Sequence, residues 1–468
     1  MVSVSLYTLG CKVNQLESEA IADAFRSRGF RVLPWDATGA LVADILVFNT
    51  CTVTSKAEQK ARRVIRKALR DHPQAFLIVT GCYAQVAGET VDALGREADS
   101  VNRLVVVSGD RKSRLLDLPG FLVDTMPEQL AQVLLSQWLQ DQGTLHPSIE
   151  RFRFTPGDFS LHSRASVKIQ DGCDNHCSYC RVRLARGMSV SLEPERICAA
   201  VQALEAKGYA EVVVTGVNIT QYRGTAAQQG PLRLGGLLKY LLAETGHIRL
   251  RLSSLEPEGL TDELMAVLGH PRIRPHFHLS VQSGSPLILK QMGRGYTPQD
   301  IERGIDRLRE LKDDPFLGCD IITGFPGETE AAFEKTYQLC LHSDFAWIHA
   351  FPYSPRPGTA AYTYPGLVRE QDAVLRVDRL AALGRTGRQE YSRRWLGREV
   401  EAILEASSNP HVAVGVSDNY LKLLISFPDQ EPPPAGSAIR CRICGFPEQG
   451  EAFSRFDALG EYIKDEPR

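Results

Sequence analysis

Three cysteines stand close together near the middle of the chain. Cys173, Cys177 and Cys180 lie in the stretch Gly-Cys-Asp-Asn-His-Cys-Ser-Tyr-Cys, with the spacing C-x3-C-x2-C. Cysteine thiolates bind iron–sulfur clusters and also zinc. A structural zinc site would need a fourth Cys or His at short range, and no second Cys-x-x-Cys pair follows nearby. The spacing therefore predicts a four-iron cluster with one iron left open for chemistry, while zinc binding and free structural thiols remain alternatives.

The overall composition is that of an ordinary globular protein. The chain has 468 residues, a net charge of −2 and 24% charged residues, which is enough length for two or three domains. No secretory leader or membrane span is recognisable, so we expect a cytoplasmic protein. Eleven cysteines in a reducing compartment favour metal ligands or catalytic groups over disulfides. The balanced charge means that any nucleic-acid partner must be inferred from local patches.

Three more cysteines, Cys11, Cys51 and Cys82, each follow a short apolar run typical of a buried strand. Helical patterns separate these runs, which predicts a parallel sheet. Residues just beyond the carboxyl ends of parallel strands meet in one crevice. We therefore predict that the three thiols bind a second [4Fe–4S] cluster whose open iron holds a sulfur species; unrelated buried thiols are the alternative. The expected strands are Val2–Gly10, Asp44–Thr50 and Phe76–Gly81, and the expected helices are Ser18–Arg28 and Lys56–Arg70.

The region from about residue 165 to 365 repeats the order strand, loop, helix. This alternation predicts an incomplete (β/α)6 barrel, whose active site would lie at the carboxyl ends of the strands. The loop with the three spaced cysteines follows the first of these strands. The expected strands are Ala165–Gln170, Glu211–Thr215, Ile248–Ser253, Phe277–Val281, Cys319–Thr323 and Trp347–Phe351.

Taken together, these motifs resemble the radical S-adenosylmethionine (SAM) methylthiotransferases. The resemblance rests on Leu-Gly-Cys-Lys-Val-Asn-Gln around Cys11, Asn-Thr-Cys-Thr-Val-Thr around Cys51, Thr-Gly-Cys at Cys82 and the C-x3-C-x2-C loop. Lys-Val-Asn-Gln most resembles the branch that acts on N6-threonylcarbamoyladenosine-37 of tRNA. The branches that act on isopentenyladenosine or on ribosomal protein S12 usually carry Gln-Met-Asn or Pro-Lys-Asn there, and they remain alternative substrates.

The resemblance implies a transferase that replaces the C2 hydrogen of the modified adenosine with a methylthio group. In this family the cluster of Cys173, Cys177 and Cys180 cleaves one SAM to a radical that abstracts hydrogen. The second cluster presents sulfur, and a second SAM supplies the methyl group. Two [4Fe–4S] clusters, two SAM per product, a sulfur source and a reductant such as flavodoxin or ferredoxin are therefore implied. A non-catalytic iron–sulfur protein that binds RNA or senses redox state is the more distant alternative.

The same resemblance places SAM contacts in the loops that follow the barrel strands. Glycines there permit close backbone approach to a flat ring. Arg186 is expected to screen the charge of the cluster or of the SAM carboxylate. The chain departs from the family after Cys180, where Arg-Val-Arg replaces the usual Ile-Ile-Pro or Val-Val-Pro. The implied SAM-binding residues are Tyr179, Gly216, Asn218, Ser253, Ser254, Glu256, Gln282, Ser283, Gly324 and Glu328.

Local basic patches indicate where RNA would bind. One patch lies on a single face of the helix after Cys51, and a second lies at the end of a helix before the last domain. That last domain is similar to TRAM domains, small RNA-binding β-barrels, in its Gly-Val-Ser-Asp-Asn-Tyr stretch, whose tyrosine would stack on a base. A solvated helix face and a barrel-core tyrosine are the alternatives. The implied partner is the tRNA anticodon stem-loop, with no DNA and no membrane. The predicted RNA contacts are Lys56, Lys60, Arg63, Lys67, Arg393, Arg394 and Tyr420.

The sequence thus predicts an α/β protein with three domains. The expected order is an amino-terminal three-layer parallel α/β domain, a linker with a helical stretch at Glu128–Gln140, a partial (β/α)6 radical SAM barrel, a small all-β TRAM-like barrel and a tail. The expected bounds are 1–120, 121–158, 159–396, 397–446 and 447–468, in that order.

Overall fold

The computed structural model describes residues 2–35, 43–125, 138, 151–157, 159, 164–405, 409–447 and 455–464. A parallel α/β sheet domain, a partial α/β barrel and a closed β-barrel follow one another along the chain, which confirms the predicted fold class. The predicted connector helix Glu128–Gln140 lies outside the described residues, except for residue 138. Within the part of the chain that the structure describes, no helix is long and apolar enough to cross a membrane.

The amino-terminal domain is a five-stranded parallel sheet in the order β2-β1-β3-β4-β5, with one apolar core on each face. The strand order reverses between β1 and β3, so their carboxyl ends open a crevice of the kind that binds ligands. Leu122 belongs to one of these cores, so the domain extends past the expected boundary at residue 120. The elements are β1 Ser3–Thr8, α1 Lys12–Ser27, β2 Arg31–Pro34, β3 Ile45–Thr50, α2 Ser55–Asp71, β4 Phe76–Gly81, α3 Cys82–Glu97, β5 Leu104–Val106 and α4 Leu118–Thr125.

Helix α1 begins at Lys12, six residues before the predicted start at Ser18. Cys11 is its N-cap residue and accepts a backbone hydrogen bond from Gln15 N at 3.1 Å. The predicted helix omitted its first six residues, of which the buried Asn14 and Glu17 are polar. Polar buried residues weaken the apolar periodicity from which a helix is predicted, and most of their partners lie far along the chain.

The central domain is an open barrel of six parallel strands in the order β6-β8-β11-β12-β13-β14. The bridge between Leu255 and Leu279 joins the two halves, and β7 pairs antiparallel with β6 at one edge. All six predicted strands are present. The elements are β6 Ala165–Asp171, α5 Val182–Arg186, β7 Val190–Ser191, α6 Pro194–Ala206, β8 Glu211–Gly216, β9 Gly224–Ala226, β10 Gly230–Leu232, α7 Leu234–Glu244, β11 Arg249–Leu252, α8 Asp262–Leu268, β12 His276–Gln282, α9 Pro286–Met292, α10 Pro298–Leu311, β13 Phe316–Thr323, α11 Glu330–His342, β14 Trp347–Pro352 and α12 Glu370–Arg394.

The carboxyl-terminal domain is a closed five-stranded barrel in the order β15-β16-β17-β19-β18. The sequence analysis assigned its last strand to a tail beginning at residue 447, and this is wrong. Strand β19 pairs parallel with β17 and antiparallel with β18, so it closes the barrel. A short strand separated from its partners by a polar segment has no local sequence signature. The strands are β15 Glu399–Leu404, β16 Val412–Ser417, β17 Lys422–Ser426, β18 Ala438–Gly445 and β19 Ala458–Tyr462.

Gly81, at the end of β4, allows an unusually close approach to β3. Its φ is +98°, and a Cβ there would lie 2.3 Å from Thr50 O. We expect Gly81→Ala to lower the free energy of unfolding by roughly 2–5 kcal/mol, because backbone strain and steric overlap add. Urea denaturation measures this change. The matched control is Gly29→Ala, where φ is +82° but nothing lies within 4 Å; an equal loss in both variants would contradict the prediction.

Candidate active site

The loop of Cys173, Cys177 and Cys180 follows β6 and is fixed at both ends. Gly172 has a φ of +72°, and a Cβ there would lie 2.0 Å from Met188 O. Cys173 N donates to Gly187 O at 3.1 Å, and Ser178 N donates to Met292 O at 2.9 Å. The loop is therefore held between the segment that precedes β7 and the end of α9, and its thiols take defined positions.

Each thiol in this loop receives a hydrogen-bond donor. Asn218 Nδ2 lies 3.9 Å from Cys173 Sγ, Arg294 Nη1 lies 3.1 Å from Cys177 Sγ, and Val182 N lies 3.4 Å from Cys180 Sγ. Burial raises the pKa of Cys180 to about 12. Donors aimed at sulfur stabilise thiolates, and this donor set fits an iron–sulfur cluster.

Arg294 is a site residue that the sequence analysis missed. Besides Cys177 it contacts the Glu256 carboxylate, and its Nε donates to Tyr296 Oη at 2.7 Å. Burial raises the pKa of Glu256 to about 7. Arg294 follows helix α9 instead of a strand, so a search of strand ends passes over it. An arginine two residues before a buried tyrosine was the available signal.

Cys11, Cys51 and Cys82 meet at the carboxyl edge of the first sheet. Burial raises the pKa of Cys51 to about 12, and the nearby thiols Cys82 and Cys11 act in the same direction. A Cβ on Gly10 would lie 3.1 Å from Cys51 Cβ, so this glycine brings two of the cysteine loops together. Val53 N donates to Cys51 Sγ at 3.4 Å. The geometric prediction that strand ends gather these thiols agrees with this arrangement.

Neither group of cysteines is arranged for a single metal ion. Across the described ranges, no three His, Cys, Asp or Glu side chains converge as one ion would require. The donors aimed at the thiols of the barrel loop fit the iron–sulfur cluster predicted from its spacing.

A buried network of five charges joins the domains beside both sets of cysteines. Glu17 and Lys112 come from the first domain, whereas Lys168, Asp171 and Arg186 come from the barrel. Glu17 lies 2.5 Å from Lys112 Nζ, 3.3 Å from Lys168 Nζ and 3.0 Å from Arg186 Nη1. Asp171 lies 2.9 Å from Lys168 Nζ and 3.1 Å from Arg186 Nη1. All five side chains are at most 10% exposed.

This network changes the role expected for Arg186. Its Nη2 donates to Asn14 Oδ1 at 2.7 Å, and the nearby Cys11 and Cys82 help to raise its pKa, after Glu17 and Asp171. Arg186 therefore lies beside Cys11 and Cys82, although in the sequence it follows Cys180. It is placed to screen charge beside Cys11 and Cys82, whereas the expected position was at the cluster of Cys173, Cys177 and Cys180 or at the SAM carboxylate.

A second contact between the domains centres on Glu58 of α2. Its carboxylate pairs with Arg356 and lies 3.1 Å from Arg181 Nη1. Ser55 N, one turn earlier, donates to Ser354 Oγ at 2.9 Å. Arg181 directly follows Cys180, so the departure from the family at this position places a cation at the domain junction.

The remaining predicted SAM residues differ in their burial and in their neighbours. Asn218, Ser253 and Gln282 are buried at the carboxyl ends of their strands, whereas Ser254 is exposed. Ser283 is buried and lies 3.2 Å from Thr336 Oγ1, which makes it part of the packing against α11. Gly216 is half-buried near Gln170, and the Tyr179 ring packs edge-on against Phe325 at 6.5 Å.

Gly324 and Glu328 make contacts within the protein, and their predicted contact with SAM stays a prediction. A Cβ on Gly324 would lie 2.5 Å from Ala373 Cβ, so this glycine permits the close approach of helix α12. The Glu328 carboxylate accepts hydrogen bonds from Gly324 N at 2.6 Å and from Arg376 Nη1 at 2.7 Å. Both residues hold the loop to its neighbouring helix. Their family-like positions gave no indication of these internal partners.

The predicted RNA contacts separate into exposed and engaged side chains. Lys56, Lys60 and Arg63 are exposed on α2. Lys67, on the same face, pairs with Asp71 at 2.6 Å. Arg393 is also exposed, at the end of α12.

Arg394 and Tyr420 are held by the protein itself. Arg394 lies between Asp314 at 2.9 Å and Asp344 at 3.1 Å. The Tyr420 ring stacks on His276 with a centroid distance of 3.9 Å. Tyr420 lies in the turn between β16 and β17 and has a φ of +68°. Both side chains thus have partners within the protein, and their predicted contacts with RNA stay predictions. Tyr420 joins the small barrel to the central one, a role visible only once both domains are in place.

The five-charge network gives a direct test of the domain junction. We expect Glu17→Gln to lower the free energy of unfolding by roughly 3–5 kcal/mol, because removing one member leaves three buried cations with one carboxylate. Urea denaturation and the rate of limited proteolysis at the junction measure this. Glu89→Gln, an exposed carboxylate of the same domain, should change neither. Equal stability of both variants would show that the network contributes nothing.

Two family models match parts of the chain, and several relatives match nearly all of it. Residues 167–340 match the model of the radical SAM superfamily, and residues 3–102 match that of the uncharacterized protein family UPF0004. The chain is 40% identical to a threonylcarbamoyladenosine tRNA methylthiotransferase MtaB of Treponema pallidum (strain Nichols), over 95% of this chain and 98% of that protein. It is 32% identical to the MtaB of Bacillus subtilis (strain 168), over 99% of both.

Among solved structures, the radical SAM methyltransferase TsrM of Kitasatospora setae superposes with a TM-score of 0.51. The two chains are 15% identical, over 75% of this chain and 73% of TsrM, so this likeness concerns the fold alone. The full-length relatives are decisive, because they cover all three domains at 32–40% identity. The chain therefore belongs to the threonylcarbamoyladenosine tRNA methylthiotransferases, a family of radical SAM enzymes.

Proposed function

We propose that this enzyme inserts sulfur and a methyl group at C2 of N6-threonylcarbamoyladenosine-37 in tRNA. The observation that carries the proposal is the pairing of two cysteine triads. Each triad lies at the carboxyl edge of a parallel sheet, and one buried network of charges joins the two sheets. The relatives at 32–40% identity are named for this activity, and they match the chain over nearly their whole length. The isopentenyladenosine, S12 and non-catalytic alternatives are not favoured.

The chemistry divides between bound groups and the protein. When bound, a cluster on Cys173, Cys177 and Cys180 supplies the electron that cleaves SAM, and a second cluster on Cys11, Cys51 and Cys82 supplies a place for sulfur. A cofactor of this kind carries the difficult bond cleavage, so the side chains need no acid–base pair. The protein's part is to orient the groups and to exclude water.

Asn218 and Arg294 are well placed for that part. Both donate toward thiols of the barrel loop, and the guanidinium of Arg294 offsets negative charge beside Cys177. Arg186 does the same beside Cys11 and Cys82. Hydrogen bonds and cations near cluster thiolates raise the reduction potential, which eases electron entry. We include Tyr179, Gly216, Ser253 and Glu256 among the proposed SAM contacts because they lie in the same strand-end loops.

RNA would reach this site along helix α2. Its first turn adjoins Cys51 and contacts the barrel through Ser55, while Lys56, Lys60 and Arg63 stay exposed. Phosphates of an anticodon stem-loop would bind these cations while the target base enters between the domains. A flavodoxin or ferredoxin as reductant, a sulfur source, two SAM per product and a cytoplasmic location complete the proposal.

The proposal is tested with anaerobically reconstituted protein, SAM, a reductant and bulk tRNA that carries threonylcarbamoyladenosine but lacks its methylthio group. Mass spectrometry of the digested nucleosides should show a methylthio gain on threonylcarbamoyladenosine. We expect Cys51→Ala to keep SAM cleavage but to lose this product and about half of the bound iron, since only one of two clusters needs this thiol.

The control variant is Cys198→Ala, which changes a buried cysteine within α6. It should retain both the product and the iron. A methylthio gain on isopentenyladenosine would overturn the substrate, and undiminished iron in Cys51→Ala would overturn the second cluster.

Contact of helix α2 with RNA has a separate signature. We expect Lys60→Ala to weaken tRNA binding and to reduce the slope of log K against log salt by about 0.7–0.9, because one phosphate contact is lost. Fluorescence anisotropy at several salt concentrations measures this. Lys239→Ala, an exposed lysine on α7, should leave the slope unchanged. If both variants bind tRNA like the parent, α2 is not the contact surface.

A further inference from the structure

A third polar cluster lies in the barrel, apart from both sets of cysteines. It consists of His278 on β12, Asp320 on β13 and His349 on β14, three neighbouring strands. Asp320 Oδ1 lies 2.9 Å from Nδ1 of His349, and Asp320 Oδ2 lies 3.1 Å from Nε2 of His278. One carboxylate therefore orients two imidazole rings, and nothing in the chemistry described so far uses them.

Strand alternation shows which side of the barrel carries this cluster. Side chains of successive residues point to opposite faces of a sheet. Leu279, Cys319 and Ile348 belong to the apolar core between the strands and the surrounding helices. Their neighbours along the strands, His278, Asp320 and His349, therefore face the concave interior. This is the space in which a substrate of a barrel enzyme binds.

His349 is the member of this cluster that a ligand can reach. Its side chain is 61% exposed, against 18% for His278. The hydrogen bond to Asp320 raises the pKa of His349, and the use of Nδ1 in this contact leaves Nε2, on the opposite side of the ring, for a ligand.

Three other cations on the concave side are committed to carboxylates. Lys168 pairs with Asp171, Arg251 with Glu211 and Arg294 with Glu256, and all three side chains are at most 3% exposed. An incoming anion would therefore meet His349 more readily than any of them.

The proposed substrate brings such an anion. The threonylcarbamoyl group on N6 ends in a carboxylate, whereas an isopentenyl group on N6 is apolar and uncharged. We propose that His349, oriented by Asp320, binds the carboxylate of the threonylcarbamoyl group and so selects this nucleoside. The inference rests on the proposed function and adds the side chain that determines specificity. Charge-assisted hydrogen bonds are strong, and a site built for one discriminates against analogues that lack the partner.

The test compares two anticodon stem-loops with the reconstituted enzyme and SAM. One carries threonylcarbamoyladenosine, and the other carries its methyl ester, which keeps the shape but removes the charge. We expect the parent enzyme to prefer the acid in KM and in anisotropy-measured affinity by roughly 10- to 100-fold. His349→Gln should reduce this preference to about 2-fold while SAM cleavage without RNA stays unchanged. His349→Arg, which restores a cation, should recover most of the preference.

His411→Gln, an exposed histidine of the small barrel, is the matched control and should keep the parent preference. If His349→Gln still prefers the acid as strongly as the parent, the inference is wrong, even though product forms. If the parent makes no product from the acid stem-loop, the proposed function itself fails. The two failures are thus distinguishable, and the binding measurement reports on His349 without turnover.

Discussion

A buried network of charges holds the first domain and the barrel in one arrangement; it consists of Glu17, Lys112, Lys168, Asp171 and Arg186. A charge removed from water costs several kcal/mol unless it is closely paired. These five side chains satisfy one another only when the two domains stand in one orientation, since neither domain contains a complete set of partners. The network thus contributes specificity of domain arrangement more than net stability.

That arrangement matters because both ends of the network adjoin cysteines. Glu17 lies in the helix that begins after Cys11, and Asp171 lies two residues before Cys173. The Glu58 carboxylate makes a second bridge, from the helix after Cys51 to Arg181 beside Cys180. A reaction that makes a radical at one place and delivers sulfur from another tolerates little variation in their separation. Two polar junctions fix that separation.

The two sets of cysteines could be proposed from local spacing and strand order. Cys173, Cys177 and Cys180 are read directly, and Cys11, Cys51 and Cys82 follow from the rule that parallel strands end at one edge. Local patterns do not indicate the partner of a polar residue when that partner lies far along the chain. Glu328 binds Arg376, and Tyr420 stacks on His276 more than a hundred residues earlier. Arg294 escaped notice because it follows a helix, outside the strand ends.

Residue type and local periodicity were enough to indicate the radical SAM motif, the two cysteine triads, the strand–helix alternation and the family. The folded chain was needed to show which charges lie between the domains, that β19 closes the small barrel, and that His278, Asp320 and His349 share the concave side. Buried polar groups pair according to their distance in space, and most of these partners lie far apart along the chain, so no local pattern indicates their pairing.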